Sequence, residues 1–207
     1  MPINNKRSVV KTSDVRIQEN LEAWFQAASR QNIKDGLKWY KDAQLHCIAK
    51  AKKFAMKPFD YAEIISITSV NNKWPTNKKD TETVVRAYKA GIAPEAIKIS
   101  TYHANKFKAF RVLNKAQTLE QTSPKTYAFS MNVGLNSPDH VTIDKHHLRA
   151  CVTLPSEGVV PEATTSITPK QYKRVEALTA QLAHKNGLYG YQYQAIIWLC
   201  IKEAWNR

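Results

Sequence analysis

The sequence lacks any apolar run of about 18 residues, the length that a membrane-spanning helix needs. It also lacks the apolar stretch of a secretory signal peptide, because Asn, Lys, Arg and Ser are mixed over its first residues. These two absences argue against a membrane protein or a secreted one. We therefore expect a soluble intracellular protein, located in the cytoplasm or nucleoid, or in the host cytoplasm if the source is viral.

Cysteine is scarce: Cys47, Cys151 and Cys200 are an odd number, lie far apart and form no Cys-x-x-Cys pair. This spacing provides neither a disulfide framework nor the usual zinc ligands. Among the six His, His146 and His147 are adjacent and belong to no His-Glu-x-x-His motif. We predict reduced cysteines in the core, no bound metal and no cofactor.

Acidic residues are also few, since 17 Asp and Glu stand against 31 Lys and Arg and leave a net charge of +14. Between Lys34 and Lys57 there are seven Lys against two Asp, and between Lys98 and Lys115 there are five Lys or Arg and no acid. This excess predicts a polyanionic partner, with nucleic acid as the first candidate. The alternative is that the lysines only solubilise exposed helix faces.

Apolar residues are present at 43% and recur at three- and four-residue spacings, which is typical of helices packed around a core. The pattern predicts helices over residues 18–29, 33–54, 61–67, 77–90, 101–113, 125–133, 144–148, 169–186 and 193–205. Pro58 is expected to close the second helix, Asp60 to cap the third, and Thr76 or Asn77 to cap the fourth. The apolar stretches 67–70 and 141–143 are too short to indicate a sheet, so we predict an all-α fold.

The organisation predicted along the chain is simple. Residues 1–15 are expected to form a basic arm, and residues 16–207 one compact helical domain. Residues 154–166 are rich in Pro, Gly, Glu, Thr and Ser and are expected to form a long surface loop. Thr168-Pro169 then has the composition of a helix start.

An ordered set of residues between positions 119 and 149 carries the most specific signal. Leucine precedes a Lys-Thr pair, an Asn follows about two turns later, and a hydrophobic-x-hydrophobic-Asp-x-His-x-x-Arg stretch comes next. The residues are Leu119, Lys125, Thr126, Asn132, Asp144, His146 and Arg149. This order resembles the helix-hairpin-helix DNA glycosylase superfamily, and in particular its endonuclease III-like members. The resemblance is clearest over residues 119–151 and implies a two-lobed helical bundle with a cleft.

The resemblance makes Lys125 and Asp144 the candidate catalytic pair. Cleavage of an N-glycosidic bond develops positive charge on the sugar, and a carboxylate such as Asp144 stabilises that charge. A neutral amine such as Lys125 can attack the sugar carbon, form an imine and lead to strand cleavage. The implied activity is that of a glycosylase with or without lyase activity at the abasic site.

Three departures separate this chain from the family pattern. Gln121 and Ser123 stand where the hairpin normally has glycines that let backbone N–H groups approach a phosphate. Only Cys151 and Cys200 follow the hairpin, so the four-cysteine iron–sulfur site of some relatives is absent. Thr68 stands where some relatives carry a Gln that fills the gap left by the flipped base.

Polar, basic and aromatic residues near these motifs are candidates for DNA contacts, through phosphates or through stacking on a flipped base. They are Thr68, Asn72, Lys73, Trp74, Tyr102, Lys106, Lys108, Ser123, Lys145, His146 and Arg149. The expected partner is double-stranded DNA, bound by a monomer.

Structural roles compete with each functional assignment. Asp144 has the position of a helix N-cap, Lys125 that of a solvated lysine, and His146 that of a packing residue. Trp198 and Trp205 lie on an apolar helix face and are expected in the core. Two other functions therefore stay open: a non-catalytic DNA-binding protein of the same fold, and a basic accessory protein of a nucleoprotein or virion.

Overall fold

This computed structural model describes residues 7–120, 123–157 and 166–205. In order, the α-helices are α1 (Asp14–Gln26), α2 (Arg30–Lys53), α3 (Pro58–Thr68), α4 (Trp74–Lys89), α5 (His103–Leu113), α6 (Pro124–Leu135), α7 (Lys145–Ala150), α8 (Pro169–Lys185) and α9 (Gly190–Trp205). Short 3-10 turns cover Val9–Lys11, Pro94–Ala96 and Pro155–Glu157. No strand occurs within the described ranges, so the all-α prediction is confirmed.

Among the helices that begin earlier than predicted, α3 and α4 each have a proline in the first turn. Pro58 opens α3 behind Lys57 as N-cap, and Pro75 follows Trp74 at the start of α4. A first-turn N–H has no partner within the helix, so proline is tolerated there. The predictions that Asp60 caps α3 and that Thr76 or Asn77 caps α4 are therefore wrong.

The predicted helix ends at residues 90 and 133, each just before a glycine, are partly right. Gly91 follows α4 with φ +67°, a left-handed conformation that suits glycine. Helix α6 passes Gly134 and ends at Leu135, with Asn136 as its C-cap at φ +48°. Gly134 is instead a packing glycine, because a Cβ there would lie 2.9 Å from the Ala62 Cβ. The Thr168 cap is confirmed, as Thr168 and Gln171 form a capping box at α8.

The chain divides into two compact units. Unit 1 contains the described residues of Met1–Tyr40 and Pro138–Arg207, and unit 2 contains those of Lys41–Ser137. Helix α2 contributes residues 30–40 to unit 1 and residues 41–53 to unit 2. The cleft implied by the family resemblance stays a prediction.

Unit 1 has its core where α1, α8 and α9 meet the segment that follows α7. Asn20 Nδ2 donates to the Cys151 carbonyl at 2.9 Å, and Trp24 Nε1 donates to the Thr153 carbonyl at 2.8 Å. Phe25 stacks on Tyr193 of α9 at a centroid distance of 4.7 Å. These contacts give α1 a fixed register along the rest of the unit.

The chain before α1 is held against unit 1 from Arg7 onward. Arg174 of α8 donates to the Val9 carbonyl at 3.1 Å and to the Thr12 carbonyl at 2.7 Å. Arg7 forms a bidentate ion pair with Glu157, at 2.7 and 2.9 Å. The basic arm expected over residues 1–15 is therefore docked from Arg7 on and merges into α1, while residues 1–6 lie outside the described part of the chain.

Unit 2 is built around α3, which packs against α4, α5 and α6. Tyr61, Ile64 and Ile65 of α3 are fully buried. A polar cluster lies at the end of this core, where Thr68 Oγ1 donates to Asn77 Oδ1 at 2.6 Å and lies 2.8 Å from Thr81 Oγ1. Because each of these buried polar groups has a partner, the cluster costs little stability.

Cys47, Cys151 and Cys200 are buried and form no disulfide with one another, as predicted. No cluster of His, Cys, Asp or Glu suited to a metal ion occurs in the described ranges. No helix there is long and apolar enough to span a membrane.

Buried His147 makes the stability of unit 1 sensitive to acid. Its Nε2 lies 2.9 Å from Thr179 Oγ1 of α8, and the residue is fully buried. Burial lowers the pKa of His147 from 6.5 to about 4, although the Asp144 carboxylate acts in the opposite direction. In this window the unfolded chain binds a proton and the folded chain does not.

We predict that the free energy of unfolding falls by about 3 kcal/mol from this group as the pH drops from about 6.5 to 4, with no contribution above that window. Urea unfolding at several pH values measures it. His147→Gln should flatten the curve, whereas His184→Gln, which changes an exposed histidine of α8, should not. Equal pH dependence in His147→Gln and the wild type would contradict the assignment.

Candidate functional site

Asp144 is positioned by an extended segment, residues 141–143, that α8 holds by hydrogen bonds. The Tyr172 hydroxyl donates to the Val141 carbonyl at 2.8 Å and accepts from the Ile143 N–H at 3.1 Å. Glu176 Oε1 accepts from the Val141 N–H at 3.0 Å. On the other side, Gly190 of α9 leaves room for the Val141 side chain, since a Cβ at Gly190 would lie 2.5 Å from Val141 Cγ2.

Asp144 itself is the N-cap of α7. Its Oδ1 accepts from the His147 N–H at 2.8 Å, which satisfies one of the free donors of the first turn. The side chain is half-buried. Asp144 therefore has the capping role that the sequence offers as the alternative to catalysis. The bond uses one of its two carboxylate oxygens.

A buried tyrosine lies close to Asp144. The hydroxyl of Tyr40, which is 3% exposed, donates to Gln194 Oε1 at 2.8 Å. Desolvation raises the pKa of Tyr40, a hydrogen bond with Thr142 lowers it, and the Asp144 charge raises it further. Tyr40 is therefore a neutral hydrogen-bonding group at neutral pH.

The residues that follow Asp144 differ in exposure. Lys145 is exposed, whereas His146 and Arg149 are half-buried. The guanidinium carbon of Arg149 lies 4.5 Å from the ring centroid of Trp205, and the His146 ring meets the same indole edge-on at 6.3 Å. Desolvation lowers the pKa of His146, with an opposing effect from Asp144.

Lys125 stands in the first turn of α6, directly after Pro124. Helices α5 and α6 are joined by a loop whose buried Leu119 accepts at its carbonyl from the Ser123 N–H at 3.0 Å. Ser123 has φ −158°, an extended conformation open to any residue, so the backbone there does not require glycine. Gln121, the other glycine replacement, lies outside the described residues. The Lys125 side chain is half-buried.

Lys108 of α5 lies close to the start of α6. Its ammonium group donates to the Ser123 hydroxyl, two residues before Lys125. Desolvation, and then repulsion from Arg111, lowers the pKa of Lys108. Lys108 is thus a second lysine of this helix–loop–helix, and its environment favours the neutral amine.

The loop between α3 and α4 is held by Asp80, which is 6% exposed. Asp80 Oδ2 accepts from Asn72 Nδ2 at 2.7 Å and from the Ser100 N–H at 2.9 Å. The exposed Tyr102 is bonded through its hydroxyl to the side-chain amide of Asn71. These bonds place the exposed Lys73 beside an ordered polar surface.

Trp74 is packed within unit 2 rather than projecting from a loop. It is half-buried in the first turn of α4, with His46 edge-on at 6.2 Å and Lys78 Nζ 6.0 Å from its ring centroid. Its ring is therefore only partly available to a nucleic-acid base.

Two of the residues predicted to contact DNA are buried, and these assignments are corrected. Thr68 is fully buried and bonded within the polar cluster of unit 2. Lys106 is 4% exposed, and its ammonium group donates to the Ile97 carbonyl at 2.7 Å. Neither side chain offers a group to a ligand, because the bonds that each makes are inside the fold.

The structure groups the candidates by unit. Asp144, Lys145, His146 and Arg149 belong to unit 1, and the remaining candidates, Lys125 among them, belong to unit 2. Sequence reasoning missed the contacts of Trp205 and the environment of Lys108. The spacing of Trp198, Lys202 and Trp205 on α9 was a usable signal for the first, while nothing local in the sequence marks Lys108 as half-buried.

A family described as "Family of unknown function (DUF7178)" matches residues 3–205. Comparison with curated proteins gives no match, and comparison with solved structures gives none either. The match covers nearly the full length of both units. The chain therefore belongs to the DUF7178 family of unknown function.

Proposed function

We propose that this protein is a DNA glycosylase of the helix-hairpin-helix type, with or without lyase activity, that flips out a modified or damaged base and cleaves its N-glycosidic bond. Its role would be in base-excision repair. The proposal rests on where two residues of the family motif lie in the secondary structure. Lys125 stands in the first turn after a helix–loop, and Asp144 begins the next helix after an extended segment.

Asp144 would supply electrostatic stabilisation. Its carboxylate is held by the His147 N–H at 2.8 Å and by a segment that α8 fixes in place. A fixed carboxylate stabilises the positive charge that develops on the sugar and orients the attacking water without reorganising during the reaction.

Lys125 would act as the amine nucleophile of a lyase step. The neutral amine attacks the sugar carbon, the base leaves, and an imine forms between the lysine and the opened sugar. Lys108 is the rival nucleophile, because its pKa is lowered by burial and it contacts Ser123 in the same hairpin.

One observation favours a second candidate, a DNA-binding protein of the same fold without catalysis. Asp144 already has a structural role as the cap of α7. In that case, DNA binding would depend on the basic surface alone, and no modified base would be released.

Incubation with a panel of duplexes, each with a different modified base, tests the proposed activity. Release of at least one base supports the glycosylase. Binding without release from any duplex favours the second candidate. The target base is set by pocket shape and by contacts to exocyclic groups, so the panel needs to include both purine and pyrimidine lesions.

For Asp144, we predict that Asp144→Asn lowers the rate of base release by at least about 10²-fold, while stability changes little. Asn caps a helix nearly as well as Asp, so this variant removes the charge and keeps the cap. Single-turnover kinetics and thermal unfolding measure the two effects separately.

The matched control is Ser13→Ala, which removes the cap of α1 in the same unit. It should cost about 1 kcal/mol of stability and leave base release per folded molecule unchanged. Full activity in Asp144→Asn would assign Asp144 to the cap alone.

For Lys125, we predict that borohydride added during turnover traps a covalent protein–DNA complex in the wild type and not in Lys125→Gln. Reduction of the imine makes the bond permanent, and gel mobility with peptide mapping locates it. Lys108→Gln serves as the comparison.

Three results are distinguishable for the two lysines. Loss of the trap in Lys125→Gln alone supports the proposal, and loss in Lys108→Gln alone moves the nucleophile to Lys108. A cleaved substrate with no trapped species in the wild type indicates a monofunctional enzyme that uses water.

We also predict that affinity for duplex DNA falls by about 10³-fold between about 50 and 200 mM salt, with little dependence on sequence. Lys73→Gln should reduce the salt slope by about one, because Lys73 is exposed. Lys106→Met should leave the slope unchanged per folded molecule, because Lys106 is buried. A flat salt response would contradict binding through phosphates.

A further inference from the structure

The last two turns of α9 carry aromatic and basic side chains on one face. Trp198, Lys202 and Trp205 are spaced by four and three residues, which aligns them along the helix. Trp205 is 42% exposed, in contrast to the core position that the sequence pattern predicts. Lys202 Nζ lies 4.3 Å from the ring centroid of Trp198.

A second cation reaches this face from α7. The Arg149 guanidinium carbon lies 4.5 Å from the centroid of Trp205, and His146 meets that indole edge-on. Trp39 of α2 meets Trp198 edge-on at 5.8 Å. Both indoles are therefore held in fixed orientations, which lowers the entropy cost of stacking a ligand on them. We call Arg149, Trp198, Lys202 and Trp205 the α9 platform.

The charge of the platform is positive. Two of its four side chains are cationic, and the acid on the same two turns of α9 is Glu203, whose carboxylate accepts from Asn32 Nδ2 at 3.0 Å. The neighbouring Lys145 adds an exposed cation at the start of α7. The ligand that fits must therefore combine flat rings with negative charge.

Single-stranded nucleic acid combines flat rings with negative charge, whereas an anionic membrane surface has the charge without the rings. A membrane-bound helix needs an exposed apolar face. The apolar residues Ile197 and Ile201 of α9 are instead fully buried, and Trp205 is the one large apolar side chain exposed on this helix. An isolated indole flanked by cations is the arrangement on which unpaired bases stack while phosphates pair with the charges.

We propose that the α9 platform binds a single-stranded segment of nucleic acid, with an unpaired base stacked on Trp205 and adjacent phosphates paired with Lys202 and Arg149. In a duplex the bases are already stacked on each other, so duplex DNA offers no base to the indole. This inference goes beyond the proposed function, because it requires neither Lys125 nor Asp144 and involves no chemical step.

The test uses the full chain and a labelled oligothymidylate of about 16 nucleotides, with the hybridised duplex as comparison. Fluorescence anisotropy gives affinity, and tryptophan emission reports stacking. We expect Trp205→Ala to weaken single-strand affinity about tenfold and duplex affinity by less than about twofold. Trp205→Phe should retain most of the affinity, since a phenyl ring still stacks.

The charge is tested by Lys202→Gln, which should reduce the salt slope for the single strand by about one. Lys170→Gln, which changes an exposed lysine at the start of α8 in the same unit, is the matched control and should not reduce it. Circular dichroism and thermal unfolding verify that every variant is folded.

Two outcomes overturn the proposal. One is equal affinity of the wild type and folded Trp205→Ala for the single strand, with unchanged quenching of tryptophan emission. The other is binding to vesicles of phosphatidylcholine and phosphatidylserine that depends on Trp205 and Lys202 while binding to the oligonucleotide does not. If no base is released while the single strand still binds through Trp205 and Lys202, the result contradicts the proposed glycosylase and not this inference.

Discussion

The hydroxyl of Tyr172 is the constraint on which the region around Asp144 depends. An extended segment without a neighbouring strand leaves buried backbone groups that must find partners elsewhere. The Tyr172 hydroxyl accepts from one N–H of this segment and donates to one of its carbonyls, and Glu176 accepts from a second N–H. The start of α7 is fixed as a consequence, and with it Asp144, the buried His147 and the Arg149 side chain that covers Trp205.

In unit 2, a polar cluster rather than a tyrosine provides the hydrogen bonds that hold a loop. The end of α3 and the loop after it are bonded to α4 through Thr68, Asn77 and Asp80. Asp80 also accepts from the Ser100 N–H, so it joins the loop to the segment that leads into α5. Buried hydrogen bonds therefore hold the backbone beneath the surface around Lys73 and Tyr102. A surface held in this way would lose less entropy on binding a ligand.

Net charge alone does not identify a binding surface in this protein. Some cations serve the fold: Lys106 donates to a buried carbonyl, and Arg174 holds the chain before α1. Others cover aromatic rings, as Lys202 and Arg149 do. Only cations that remain accessible can contact phosphates, so burial within the fold selects a smaller set from the total of 31, and the exposed Lys202 and half-buried Arg149 stay in that set.

The sequence by itself determined the helices and several of their ends, because helix periodicity and capping depend on residues within a few positions of each other. The Thr168 capping box, the stop at Gly91 and the capping position of Asp144 are all local signals. The prolines at the starts of α3 and α4 are local signals too, but the predictions that Pro58 closes the second helix and that the fourth begins after Pro75 shifted these boundaries.

Burial was decided only by the tertiary structure, because it depends on side chains from elements distant in the chain. Lys73 and Lys106 are both lysines that the sequence predicts to contact DNA. Lys73 is exposed, whereas Lys106 is buried and donates to the Ile97 carbonyl. Of two adjacent histidines, His147 is fully buried against α8, while His146 lies at the edge of Trp205. Helix periodicity placed Trp205 on an apolar face, but none of the described residues covers that end of α9 completely, and the indole is 42% exposed.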